Sequence, residues 1–136
     1  MKSSYRELLK RAHSQLPPEV FEHKRFEVPN VRSGTIGMRT YIVNYKDIAA
    51  ALNRDPLHLL RYLSREMATA GSMDGARAIF QGKFKTDTLN RLIQLYSEAF
   101  VICPVCKRPD TKIVKEKRFS FLSCEACGAK SSVKTI

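Results

Sequence analysis

The stretch "CPVCKRPDTKIVKEKRFSFLSCEACG", residues 103–128, holds all four cysteines of the chain. They fall as two Cys-x-x-Cys pairs, Cys103 with Cys106 and Cys124 with Cys127, separated by seventeen residues. Such a turn points two sulfurs at one centre, and two turns at the ends of a short hairpin complete a tetrahedral S4 site. A thioredoxin-like motif instead needs one pair opening a helix in a larger α/β domain. Here Pro104 sits inside the first pair and Gly128 follows the second, and both are turn residues. One Zn2+ is the expected ion, with iron in the same ligand set or redox-active cysteines as the alternatives. Because the protein supplies all four ligands, the site is expected to be closed and structural.

Between the pairs, "TKIVKEKRFSFL" is rich in β-formers with its charges in the middle, so it predicts a hairpin turning near Glu116 and Lys117. About 34 residues cannot bury enough surface to fold alone. A structural zinc, worth roughly 10–16 kcal/mol in small peptides, supplies the difference. Residues 101–136 therefore read as a zinc ribbon.

Ahead of the ribbon, residues 86–100 predict a helix, capped by Thr86 or Asp87, with Leu89, Leu92, Ile93, Tyr96 and Phe100 on one face. It runs nearly into Cys103, so the ribbon is expected to be coupled to what precedes it. Residues 31–85 predict a small α/β core. "VRSGTIGMRTYIVN" reads as a hairpin turning at 37–39, and "TAGSMDGARAIFQGKF" as a second one around Asp74 and Gly75. Gly34 and Gly37 serve a bend or bulge on this reading, since the lysine and hydroxyl residue of a phosphate loop are missing. Between the hairpins lie two helices. Asn44 is the expected cap of the first, which carries Ile48 and Leu52. Asp55 and Pro56 open the second, whose stripe is Leu59, Leu60, Leu63 and Met67. Arg61, Arg65 and Arg54 lie off that stripe.

At the start, Ser4 and Glu7 form a capping box for a helix that ends at Pro17 and Pro18. Its apolar face is Tyr5, Leu8, Leu9, Ala12 and Leu16. Residues 17–30 are polar and proline-bounded and read as a linker. A helix held on such a linker either folds back on its own core or docks in a partner's groove. The predicted class is thus α+β: an N-terminal docking helix (1–16), a linker (17–30), an α/β core with antiparallel strands and helices (31–85), a connecting helix (86–100) and a C-terminal zinc ribbon (101–136).

The chain carries 24 basic and 13 acidic residues, a formal charge of +11, spread as +2, +5 and +4 over residues 1–30, 31–85 and 86–136. That excess points to a polyanion, RNA or DNA. Arg61, Arg65, Lys115, Lys117 and Arg118 are the nucleic-acid candidates. His13, His23 and His58 are scattered, with no dyad or ligand spacing, so no catalytic constellation is expected. No apolar run approaches the ~20 residues of a membrane span, and the charged N-terminus is unlike a secretory leader, so a soluble cytoplasmic protein is expected. Two readings fit. Helix, turn, helix, hairpin is the outline of a winged-helix DNA-binding transcription factor with an added ribbon. The other reading is an RNA-associated assembly subunit with a detachable helix.

The blocks "IVNYKDIAAALNRDPLHLLRYLSREMATAGSMDG", "RAIFQGKF", "FVICPVCKRPDT" and "CEACGAK" resemble, in order and over nearly the whole chain, the beta-subunit family of archaeal and eukaryotic translation initiation factor two. No lysine-rich stretch precedes the first helix, which is the archaeal pattern. The resemblance implies a non-catalytic subunit of a heterotrimer with alpha and gamma subunits. Gamma is the GTPase and binds methionyl initiator tRNA, which the complex delivers to the small ribosomal subunit. It also implies that the first helix attaches to gamma, which here would use Tyr5, Leu8, Leu9 and Ala12. The related N-terminal domain of initiation factor five, a GTPase activator, shares the core and ribbon. It has an unstructured arginine-bearing arm where this sequence predicts a helix, and a further helical domain where this sequence ends nine residues after Cys127.

Overall fold

Two tight turns organise the core. Gly37 and Gly75 both sit at positive φ, 60° and 61°, in the left-handed region that a two-residue hairpin turn demands. The first joins β1 (Ser33–Ile36) to β2 (Arg39–Ile42), and the second joins β3 (Gly71–Asp74) to β4 (Arg77–Gln81). In the computed structural model, which describes residues 4–18 and 27–136, β2 also pairs with β4. The result is one antiparallel sheet of order β1-β2-β4-β3. Thr40 lies opposite Phe80 and Ile42 opposite Ala78, so these four fully buried residues form its inner face.

The helices α2 (Tyr45–Ala51) and α3 (Pro56–Glu66) lie between β2 and β3 in the chain and pack on that face. Asp55 caps α3 by accepting from the Leu57 amide at 3.0 Å, with Pro56 in the first turn, as the sequence predicts. Leu59, Leu60 and Leu63 are buried and Met67 half-buried. The last helix, α4 (Thr86–Phe100), sends Leu89, Ile93, Tyr96 and Phe100 into the same core, against Ile48, Leu52 and Leu63. The connecting helix thus completes the core rather than merely leaving it.

Two capping expectations are corrected. Asn44 stands before α2 but makes no cap bond. Its Oδ1 accepts from the Arg32 amide at 2.9 Å and its Nδ2 donates to the Asn30 carbonyl at 2.9 Å. The side chain is spent pinning the strand that enters β1. Neither Thr86 nor Asp87 occupies the cap of α4. Lys85 does, without a side-chain bond, while the Thr86 hydroxyl pairs with that of Ser33 at 2.7 Å. Gly34 serves no bend. A Cβ there would collide with the Tyr41 hydroxyl, so the bare position lets the facing tyrosine lie across β1.

The ribbon has β5 (Thr111–Glu116) and β6 (Phe119–Cys124), which turn at Lys117 and Arg118, one residue later than expected. A third strand, β7 (Lys130–Val133), pairs with β6 and escapes the sequence reading because "KSSV" has little apolar signal. The helix α1 (Tyr5–Gln15) has its capping box in place and no buried residue. Of the expected linker, residues 19–26, and with them His23, lie outside the described residues. No described helix is long and apolar enough to cross a membrane.

Candidate metal centre and core–ribbon seam

The two cysteine knuckles repeat one geometry. Each closes on a backbone bond from the residue after the pair to the first cysteine's carbonyl, Lys107 to Cys103 and Gly128 to Cys124, both 3.0 Å. Each closing residue has positive φ, 59° and 75°. Gly128 adopts that conformation freely, whereas Lys107 bears the Cβ crowding of the left-handed region. The knuckle geometry therefore dictates the backbone there, not the residue type.

The four Sγ atoms lie within 4.8 Å of one another. Cys103 Sγ is 3.6 Å from Cys127 Sγ, and Cys106 Sγ is 3.5 Å from Cys124 Sγ. These separations are far beyond a disulfide bond. They match the edge of about 3.8 Å that a tetrahedron has with metal–sulfur bonds of ~2.3 Å. The donor set therefore fits a closed structural metal site. Amides tune the thiols: those of Cys106 and Val105 hold the Cys103 thiol down at about 6, and the amides of Cys127 and Ala126 lower Cys124. Burial, helped by the neighbouring thiols, pushes Cys106 up to about 12.

Arg54 joins this module to the core. Its Nε and Nη2 donate to the Phe100 carbonyl at 3.1 and 2.8 Å, at the open end of α4. Its Nη1 and Nη2 reach the Thr111 carbonyl and hydroxyl, at 2.9 and 2.6 Å, where β5 begins. The Thr111 hydroxyl in turn donates to the Val101 carbonyl. Arg54 is thus no free surface cation, and sequence spacing alone gives no sign of this, because its partners are 46 and 57 residues away. Beside it, His58 Nδ1 lies 2.8 Å from the Tyr96 hydroxyl, with its ring edge-on to Phe100.

The expected nucleic-acid residues divide. Arg61 of α3 and Lys115 of β5 line one cleft at the seam. Arg65 lies further along α3, its Nη1 3.4 Å from the Thr135 carbonyl. Lys117 and Arg118 are exposed in the ribbon turn and do not line that cleft. On α1, Tyr5, Leu8 and Leu9 are 77%, 52% and 43% exposed, and Ala12 is exposed as well.

A four-stranded α+β core carrying a C-terminal four-cysteine ribbon is the architecture over which the chain matches a known family. That family is described as a domain found in initiation factors 2B and 5, and the match covers residues 18–130. Within it, the chain belongs to the family of translation initiation factor 2 subunit beta. It is 52% identical over 132 residues to the protein of that name from Methanococcus maripaludis strain C7, covering 97% of this chain and 96% of the relative. The Methanococcus vannielii protein is 49% identical with the same coverage, and that of Methanosphaera stadtmanae 47%, covering 97% and 93%. These relatives are archaeal.

Proposed function

We propose that this chain is the non-catalytic beta subunit of the heterotrimeric initiation factor. On this reading it sits with the alpha and gamma subunits in the cytoplasmic complex that delivers methionyl initiator tRNA to the small ribosomal subunit in a GTP-dependent manner. The observation that carries the reading is α1, a capped helix whose whole apolar face stays in solvent among the described residues. Leaving a leucine exposed forgoes ~1.5–3 kcal/mol of burial. A groove on the gamma subunit would recover it at Tyr5, Leu8, Leu9 and Ala12. The relatives' shared name, a subunit, supports a multi-chain assembly. Their match across 97% of the chain includes α1, which precedes the span shared with the initiation factor five group.

In the ribbon, one structural Zn2+ held by Cys103, Cys106, Cys124 and Cys127 replaces the core that so few residues cannot build. The basic surface, with Arg65, Lys117 and Arg118 on it, meets RNA through phosphates. Co-purification with the archaeal gamma subunit tests the assignment. Binding without any change in GTP hydrolysis is expected. Stimulated hydrolysis would move the chain to the activator class, and absence of binding would reject the subunit role.

A further inference from the structure

Arg61 and Lys115 come from different modules and are 54 positions apart, yet they line one cavity of about 210 Å³. That is several times a water's ~30 Å³ share of liquid. Neither side chain has an ion-pair or hydrogen-bond partner among the described residues. Elsewhere on the ribbon, exposed lysines do pair: Lys112 with Glu125 at 3.1 Å and Lys130 with Glu116 at 2.5 Å. The cavity also presents His58, Ser120 and Thr135. Ser120 is buried, and its hydroxyl has only a long contact, 3.4 Å, to that of Thr135. Asp55 is the acidic side chain of the wall, its Oδ1 occupied by the Leu57 amide, and Leu57, Ile113 and Ile136 complete the lining.

We propose that this seam cleft is a phosphate-binding site, with Arg61 and Lys115 supplying charge and Ser120 and His58 supplying hydrogen bonds. Two unpaired cations at one cavity are relieved by an anion, and phosphate offers the several acceptor oxygens that such a donor set can use. Burial above all holds the His58 imidazole below its ordinary value; Arg54 and Arg61 add to this and Asp55 opposes them. From the ribbon, Lys115 lines this cavity with His58 and Lys112 lines a neighbouring one, and from α4 the Tyr96 hydroxyl contacts the imidazole. Because one wall is core and the other is ribbon, the site exists only while the two modules are docked. RNA backbone is the expected source of the phosphate. That choice of source, unlike the site itself, rests on the function proposed above.

The test is a titration of the intact, metal-loaded chain with inorganic phosphate, followed by NMR at the His58 ring and the Ser120 amide. Saturable shifts are expected at both, with the His58 titration moving to higher pH as the anion binds. Arg61→Ala and Lys115→Ala should each weaken binding roughly tenfold, with an unchanged melting curve showing that the fold is kept. Lys46→Ala, on the exposed side of α2, should leave it unaltered. Unsaturable shifts, or equal losses for Lys115→Ala and Lys46→Ala, would overturn the site in favour of diffuse attraction, whatever the chain's part in initiation. A short single-stranded RNA without terminal phosphates should displace the phosphate. Failure to do so would overturn RNA as the source and assign the cleft to a free phosphate.

Discussion

Arg54 grips Thr111 twice, through the carbonyl at 2.9 Å and the hydroxyl at 2.6 Å, and so fixes where the ribbon begins relative to the core. The same guanidinium closes the end of α4 at Phe100. One half-buried side chain therefore satisfies backbone groups of both modules.

Arg54→Ala should strip these acceptors of their charged donor. A charge-assisted bond contributes ~1.5–3 kcal/mol, so a loss of about 2–4 kcal/mol in stability is expected. Denaturant unfolding measures it, and amide relaxation should show the ribbon tumbling apart from the core. A ribbon that still moves with the core in the variant would show that the apolar contacts of Ile113, Val133 and Ile136 hold the seam without it.

Metal binding should depend on pH with a definite sign. Cys106 is held up at about 12 in the metal-free chain, so the ion must displace its proton and affinity falls as pH falls. Cys103, lowered to about 6, adds a further proton to displace below that pH, steepening the loss there. Competition with a chromophoric chelator across pH 5 to 8, roughly the range in which such thiolates matter, gives the profile. Elemental analysis of freshly purified, reduced protein should find one zinc. Chelation, or Cys106→Ser, should melt β5 to β7 and leave the core folded.

Thr40 is fully buried and bonds the 82–84 loop twice. Its hydroxyl donates to the Gly82 carbonyl at 2.7 Å and accepts from the Phe84 amide at 3.0 Å. Thr40→Val keeps the shape and removes both bonds. With ~1–3 kcal/mol for each group left unpaired, about 2–4 kcal/mol should be lost in thermal or denaturant unfolding. A change under ~0.5 kcal/mol would mean that the 82–84 loop re-pairs elsewhere.

RNA affinity should fall steeply with salt and vary little with sequence, because scattered phosphate contacts carry no base information. Filter binding at several ionic strengths checks it. A tight, sequence-specific duplex DNA site recovered by selection would instead support the winged-helix reading.

What the sequence made legible was local. The Cys-x-x-Cys spacing, the turns at Gly37 and Gly75, the Asp55–Pro56 cap and the Leu59–Leu63 stripe each involve residues a few positions apart, where periodicity and turn chemistry act. What it hid was long-range. Asn44 has the right chemistry for a cap, but Arg32 and Asn30 compete for it. Arg54 looks like any loop arginine until Phe100 and Thr111 arrive beside it. The meeting of Arg61 with Lys115 needs the ribbon's docking angle, which no spacing encodes. For β7, pairing with β6 overrides a weak propensity.

The proposed subunit role turns on α1, so its apolar face is the place to strike. Calorimetric titration of the archaeal gamma subunit with the wild-type chain and with the Leu8→Ala, Leu9→Ala double variant measures this directly. Losing both leucines should cost on the order of 4 kcal/mol, a weakening of roughly a few hundredfold or more, while the melting of residues 31–136 stays unchanged. Undiminished binding by the variant, or an α/β core that melts with it, would refute docking through α1 and return the helix to the core.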